Sequence, residues 1–183
     1  MRYPALITAL AGAALLTGCS SLISLNPFVA ETAGIADPAL VGTWKSAASG
    51  DKGQIVIERR GTLYAIGIEG GDGKPMHFEG RLERVGDAEL MDVVSTDDHD
   101  LAIPVHLAVR LWPSAGELKW AYLDSDWLRA QAKLALATQP SSGDTLITTP
   151  GDAAAQFLKQ FGADSRAYSG EPNRLVKVPV IRP

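Results

Sequence analysis

Met76-His77-Phe78-Glu79-Gly80-Arg81-Leu82-Glu83 alternates apolar and polar side chains with a period of two. Successive side chains of an extended strand point to opposite sides, so Met76, Phe78 and Leu82 share one face while His77, Glu79, Arg81 and Glu83 share the other. One face therefore meets a core and the other meets water. Such alternation is the strongest short-range signal for sheet.

Working outward, runs of the same kind cover Val41 to Ala47, Gln54 to Arg59, Thr62 to Ile68, Glu89 to Val94, Val105 to Trp112 and Leu118 to Leu123. Turn chemistry such as Arg60-Gly61 and Pro113 to Gly116 separates them. The links are too short to hold the crossover helices of a parallel sheet, which excludes a doubly wound nucleotide-binding fold. A late run, Arg174 to Val180, is read as a last strand returning to the sheet before Pro179 and Pro183 end it.

Between Leu123 and that run the period changes. Asp124 or Ser125 can cap a helix carrying Trp127, Leu128, Gln131 and Leu134, stopped at Gln139-Pro140. Thr149-Pro150-Gly151-Asp152 reads as the start of a second helix, with a capping hydroxyl, a proline at the first helical position and a carboxylate near the free amides. Ala154, Phe157, Leu158 and Phe161 form its apolar face, and Gly162 its stop. The expected fold is α+β but mainly β: an antiparallel meander or barrel of about seven to eight strands with two helices in the C-terminal half.

The N-terminus carries the most specific motif. Arg2, the apolar run Ala5 to Leu16 and the small residues before Cys19 have the three-part layout of a secretory signal, and the run is well short of the roughly 20 residues that span a bilayer. Leu16-Thr17-Gly18-Cys19 resembles the lipobox of bacterial lipoproteins. The resemblance implies cleavage before Cys19 and lipid on its sulfur, and Ser20, where an Asp would mark inner-membrane retention, implies an outer-membrane destination facing the periplasm. Cys19 is the only cysteine, so no internal disulfide forms and core packing alone must hold the domain. The expected organisation is a signal peptide over 1–18, a lipidated flexible tether over 19–38 and a single β-rich domain over 39–183. Asn26-Pro27 and Asp37-Pro38 act as breakers in the tether; the alternative has Leu22, Ile23, Leu25 and Phe28 docking on the domain.

Charge excludes one class of partner. The chain has 17 basic against 21 acidic residues and a formal net charge of -4, with no Lys/Arg-rich run, so nucleic acid is not an expected partner.

Motifs with chemical potential are few. Asp97, Asp98, His99 and Asp100 are an acidic cluster with one imidazole, but they lack the glycine and distal glutamate of a calcium loop and a second histidine at zinc spacing, so the expected reading is a solvated hairpin loop with no metal and no cofactor. His77 and His106, on separate strands, read as isolated surface or rim histidines. Ser49-Gly50-Asp51-Lys52 matches an S-x-x-K spacing without its companion motifs, and no nucleophile elbow, zinc-protease helix or phosphate loop occurs.

Gly42-Thr43-Trp44, at the head of the first strand of the meander, resembles the G-x-W element of lipocalin-like barrels, in which the indole plugs one end. Together with Leu90-Met91-Asp92, Leu123 to Leu128 and Leu146 to Pro150, it makes Leu40 to Tyr168 similar to uncharacterised proteobacterial lipoproteins with a lipocalin-like domain. The resemblance implies a fold and no activity. If a barrel forms, its interior is either filled or holds one small ligand, and Trp44, Tyr64, Trp112, Trp120 and Tyr122 are the candidate lining residues, equally suited to a plain core.

The functional expectation is a noncatalytic envelope lipoprotein, bound to the membrane through lipid on Cys19 and acting through contacts with an envelope protein. The alternative is a carrier of a small apolar ligand in a lipocalin-like cavity. A third reading, an envelope hydrolase, has only scattered Asp, His and Ser residues behind it.

Overall fold

The computed structural model describes residues 22–30, 32–48, 53–69, 74–97, 103–131, 136–138, 144–168 and 171–179. In chain order the strands and helices are β1 (Leu22–Ser24), β2 (Gly42–Ser46), β3 (Gln54–Arg60), β4 (Leu63–Glu69), β5 (Met76–Val85), β6 (Ala88–Ser95), β7 (His106–Ser114), β8 (Glu117–Tyr122), α1 (Ser125–Gln131), β9 (Leu136–Thr138), β10 (Thr145–Ile147), α2 (Ala153–Phe161) and β11 (Asn173–Lys177).

Strands β2 to β8 follow one another as an antiparallel meander, and β11 inserts between β8 and β2 to close it. The result is an eight-stranded closed barrel, antiparallel at every junction, with two helices and three short extra strands outside it. Closure removes the free edges that an open meander would expose to other chains. The register turns the alternation of each strand into two separate cores. Trp44, Ile57, Tyr64, Leu82, Met91, Val109, Leu111, Leu118 and Leu175 face inward and pack with Leu40. Ala88, Leu90 and Ala108 face outward, where Leu22, Phe28, Val29, Leu128, Ile147, Phe157 and Leu158 cover them.

One end of the barrel is plugged. The strap before β2 joins the edge of β5 through the Ile35 amide, which donates to the Leu82 carbonyl at 2.8 Å. The strap then meets Tyr64, whose hydroxyl accepts from the Asp37 amide at 2.7 Å and donates to the Asp37 carbonyl at 3.2 Å. A single 3-10 turn, Pro38–Leu40, capped by the Asp37 carboxylate, seats Leu40 beside Trp44, and the Trp44 indole N–H donates to the Leu40 carbonyl at 2.9 Å. Lys177 completes the plug from the last strand: its ammonium lies 5.0 Å from the Trp44 ring centroid and donates to the Ala39 carbonyl at 3.3 Å. This explains the glycine of Gly42-Thr43-Trp44. Gly42 has φ of 140°, and a Cβ there would stand 2.7 Å from Lys177 Cε.

Within the stretch 19–38 expected as a flexible tether, the described residues from Leu22 onward pack on the barrel, as in the docking alternative. Leu22, Phe28 and Val29 are fully buried, and β1 pairs with β7 on one side and, in parallel, with β10 on the other. Asp92, 3 % exposed, fastens the segment: its Oδ2 accepts from the Phe28 and Val29 amides at 3.2 and 3.4 Å. Of the four apolar residues weighed for docking, Leu25 alone remains exposed.

The helices differ from expectation at their edges. Asp124 is the cap of α1, its Oδ1 accepting from the Asp126 and Trp127 amides at 2.8 and 2.9 Å; Leu134 lies outside the described residues. α2 starts at Ala153 rather than at Thr149, because Gly151 takes a left-handed turn (φ 77°) and the Thr149 carbonyl is engaged by the Asn26 side chain at 3.1 Å. The last strand ends at Lys177, short of the expected Val180, which also lies outside the described residues.

Candidate functional site

The tight turns at Gly61, Gly86 and Gly116 lie at the plugged end. At the other end β2, β4, β6 and β8 finish while β3, β5, β7 and β11 begin. Burial of inward-facing residues changes steadily between the two. Trp44, Tyr64 and Leu82 are wholly buried at the plugged end. Ile55, Ile66, Ile68, Phe78, Val93, Leu107 and Trp120 are half-buried further up, and Met76 and Tyr122, at the opposite end, are 44 % and 38 % exposed. Side chains that point into a barrel gain exposure only where its end is open. As formed by the described residues, the upper half is thus an apolar, partly exposed mouth above a buried floor.

Two aromatic residues mark this mouth. Trp120 and Tyr122, neighbours on the inward face of β8, meet edge to face with centroids 4.9 Å apart. The Trp120 indole N–H is buried and has no hydrogen-bond partner among the described residues. A buried donor left unpaired costs about 1–3 kcal/mol, so it marks a place where an acceptor is missing. Burial alone raises the Tyr122 phenol above its ordinary range.

The five aromatic residues expected to line a cavity therefore separate into three groups. Trp120 and Tyr122 line the mouth, and Trp44 and Tyr64 form its floor, where their polar atoms are spent on the plug. Trp112 does not reach the interior. It faces outward on β7 and packs edge to face on Tyr168 at 6.0 Å, with the Arg110 guanidinium 4.8 Å from its own ring and 5.2 Å from that of Tyr168. The aliphatic residues Ile55, Ile66, Ile68, Val93 and Leu107 were missed as lining, although each shares the parity of the inward set.

The outer wall carries two shallow depressions. One, of about 460 Å³, lies over β3, β4 and β5, where Ala65 and Gly67 present almost no side chain between Val56 and Glu58 on one flank and His77 and Glu79 on the other. The second, of about 200 Å³, is lined by Pro27, Glu79, Arg81, Asp92, Val94 and His106. In it His106 Nδ1 lies 3.0 and 3.1 Å from the two oxygens of Asp92. Among the described residues that line the depression, none is a hydroxyl, thiol or amine nucleophile. His77 is likewise paired, with Nδ1 2.8 Å from Asp97.

Asp98, His99, Asp100 and the Ser49 to Lys52 motif lie outside the described residues, as does Cys19. Among the described residues no three His, Cys, Asp or Glu are grouped to hold a metal, and no helix is long and apolar enough to cross a membrane. Comparison with protein-family models, with curated proteins and with solved structures gave no match, so the barrel and its mouth stand on their own geometry.

Proposed function

We propose that this chain is a noncatalytic, lipid-anchored protein of the bacterial envelope whose barrel holds a small apolar molecule bearing a hydrogen-bond acceptor. The observation that carries the reading is the exposure gradient of the inward-facing side chains, from a sealed floor at Trp44 and Tyr64 to an open apolar mouth at Met76 and Tyr122. A barrel of eight strands has room for side chains or for one small ligand, and here the lower half is committed to side chains. The ligand is accordingly short, seated in the upper half, with its acceptor on the Trp120 N–H.

The anchor reading rests on the signal layout and the Leu16-Thr17-Gly18-Cys19 motif. Ligand carriage takes precedence over action through protein contacts because the mouth gathers half-buried apolar side chains around an unpaired indole N–H, whereas no partner surface is as well defined among the described residues.

A titration with N-phenyl-1-naphthylamine, which brightens in apolar surroundings, tests the ligand reading. The wild-type protein should bind it, Trp120→Ala should weaken binding at least tenfold, and Trp112→Ala should leave it unchanged. Equal loss in both variants, or binding unaffected by Trp120→Ala, would place the probe elsewhere.

A further inference from the structure

The polar groups of the mouth restrict what its ligand carries. Above the floor, the inward-facing residues of the described strands are apolar or aromatic except Ser46, Ser95 and Asn173, and none of them bears a formal charge. The two serines are spent on their own chain. Ser46 Oγ accepts from the Ala48 amide at 3.2 Å and Ser95 Oγ from the Asp97 amide at 3.3 Å. Asn173 is exposed at the rim, and the Tyr122 phenol, raised by burial, stays neutral.

Charge does enter the barrel at the plugged end, and there it is matched. Arg84 and Glu89, inward-facing on β5 and β6, pair with each other, and the Lys177 ammonium lies over the Trp44 ring. Among the described residues the mouth offers no such match. Its buried polar group is the Trp120 indole N–H, a single neutral donor withdrawn from water. An acceptor that meets this N–H has left water as well. An ionised group brought there would exchange its hydration for one neutral donor, the costly arrangement for a buried charge. A carbonyl or ether oxygen is satisfied by that one donor.

We infer that the mouth selects a neutral acceptor, a ketone, ester or amide oxygen on a short apolar body, over a carboxylate of the same length. This rests on the ligand reading above and adds the class of head group. An anion enters tail first, with its carboxylate left in water at the rim, where Lys74 is also exposed, and the indole N–H unused.

The test titrates the full chain, isotope-labelled on the tryptophan indoles and the isoleucine methyls, with 2-decanone or with decanoate, which have the same chain length and differ in charge at about pH 8. The ketone should bind about tenfold more tightly than decanoate. It should also move the Trp120 indole N–H resonance downfield, which decanoate does not, while both ligands shift Ile55 and Ile66. Trp120→Phe keeps an aromatic ring without the N–H; its spectrum assigns the resonance, and it should weaken the ketone about fivefold with decanoate unchanged. Decanoate binding as tightly as the ketone, or a ketone that shifts Ile55 and Ile66 without the indole resonance, overturns the head-group selection and leaves the ligand reading standing. Ile55 and Ile66 unmoved by either compound removes the ligand reading, and the selection with it.

Discussion

Replacing Asp92 by alanine should loosen the segment around Phe28 and Val29 from the barrel wall. The carboxylate is 3 % exposed and accepts from the amides of Phe28 at 3.2 Å and Val29 at 3.4 Å while pairing with His106. A hydrogen bond to a charged acceptor contributes about 1.5–3 kcal/mol, and the longer Val29 bond belongs at the bottom of that range or below it. Alanine also leaves two buried amides unpaired, which places the total loss near 3 kcal/mol. For a domain of this size each kcal/mol lowers Tm by about 2–4 °C, so a drop of about 10 °C is expected. Asp92→Asn keeps an acceptor oxygen and should lose about half as much. Urea denaturation followed by tryptophan fluorescence gives the free energy, and hydrogen exchange at Phe28 and Val29 gives the local effect. A loss below about 1 kcal/mol in Asp92→Ala with unchanged protection at those amides would refute the claim that this carboxylate fastens the segment.

Further predictions concern the plug and the tyrosines. Gly42→Ala forces a side chain onto a φ of 140° and to within 2.7 Å of Lys177 Cε, and should cost about 1–3 kcal/mol in the same urea assay. Trp44→Ala removes a wholly buried indole from the floor and should cost about 3–5 kcal/mol. Tyr64, Tyr122 and Tyr168 all have phenols pushed above the ordinary value by burial. The unfolded chain therefore ionises first: the stabilisation is complete below about pH 10 and is lost as pH rises through the folded values. Tyrosine ionisation followed by absorbance should be centred above pH 10 in the folded protein, whereas an ordinary titration centred on pH 10 would contradict the burial.

Much of the barrel was legible because alternation is a local property. Met76, Phe78 and Leu82 show their shared face within eight residues, and the other strands of the meander fall within a few residues of their expected ends. Closure was legible only as one of two outcomes, an open meander or a barrel with the run from Arg174 returning to the sheet, since the choice depends on β11 reaching both β2 and β8, and on Lys177 meeting Trp44 across most of the chain. The same distance left the docking of the N-terminal segment an alternative to the tether rather than the first expectation. Leu22 and Phe28 look isolated beside Asn26-Pro27, and their partners at Asp92 and in β10 are far away in sequence. Thr149-Pro150 offered sound capping chemistry, but tertiary contacts took the Thr149 carbonyl and the helix began later. In the site, Trp112 was chosen for its aromatic ring, although its parity with His106, Ala108 and Arg110 already set it opposite Leu107, Val109 and Leu111. The same parity sets the half-buried isoleucines of β3 and β4 on the inward face.

The most direct test of the open mouth is methyl NMR of the isoleucines during titration with decanoate, a short apolar chain carrying an acceptor. Ile55, Ile66 and Ile68 point into the upper barrel, whereas Ile147 is fully buried in the outer core. The account predicts saturable shifts at Ile55, Ile66 and Ile68 with Ile147 unmoved. Shifts confined to Ile147, or none at the three mouth residues up to the solubility of the ligand, would contradict it.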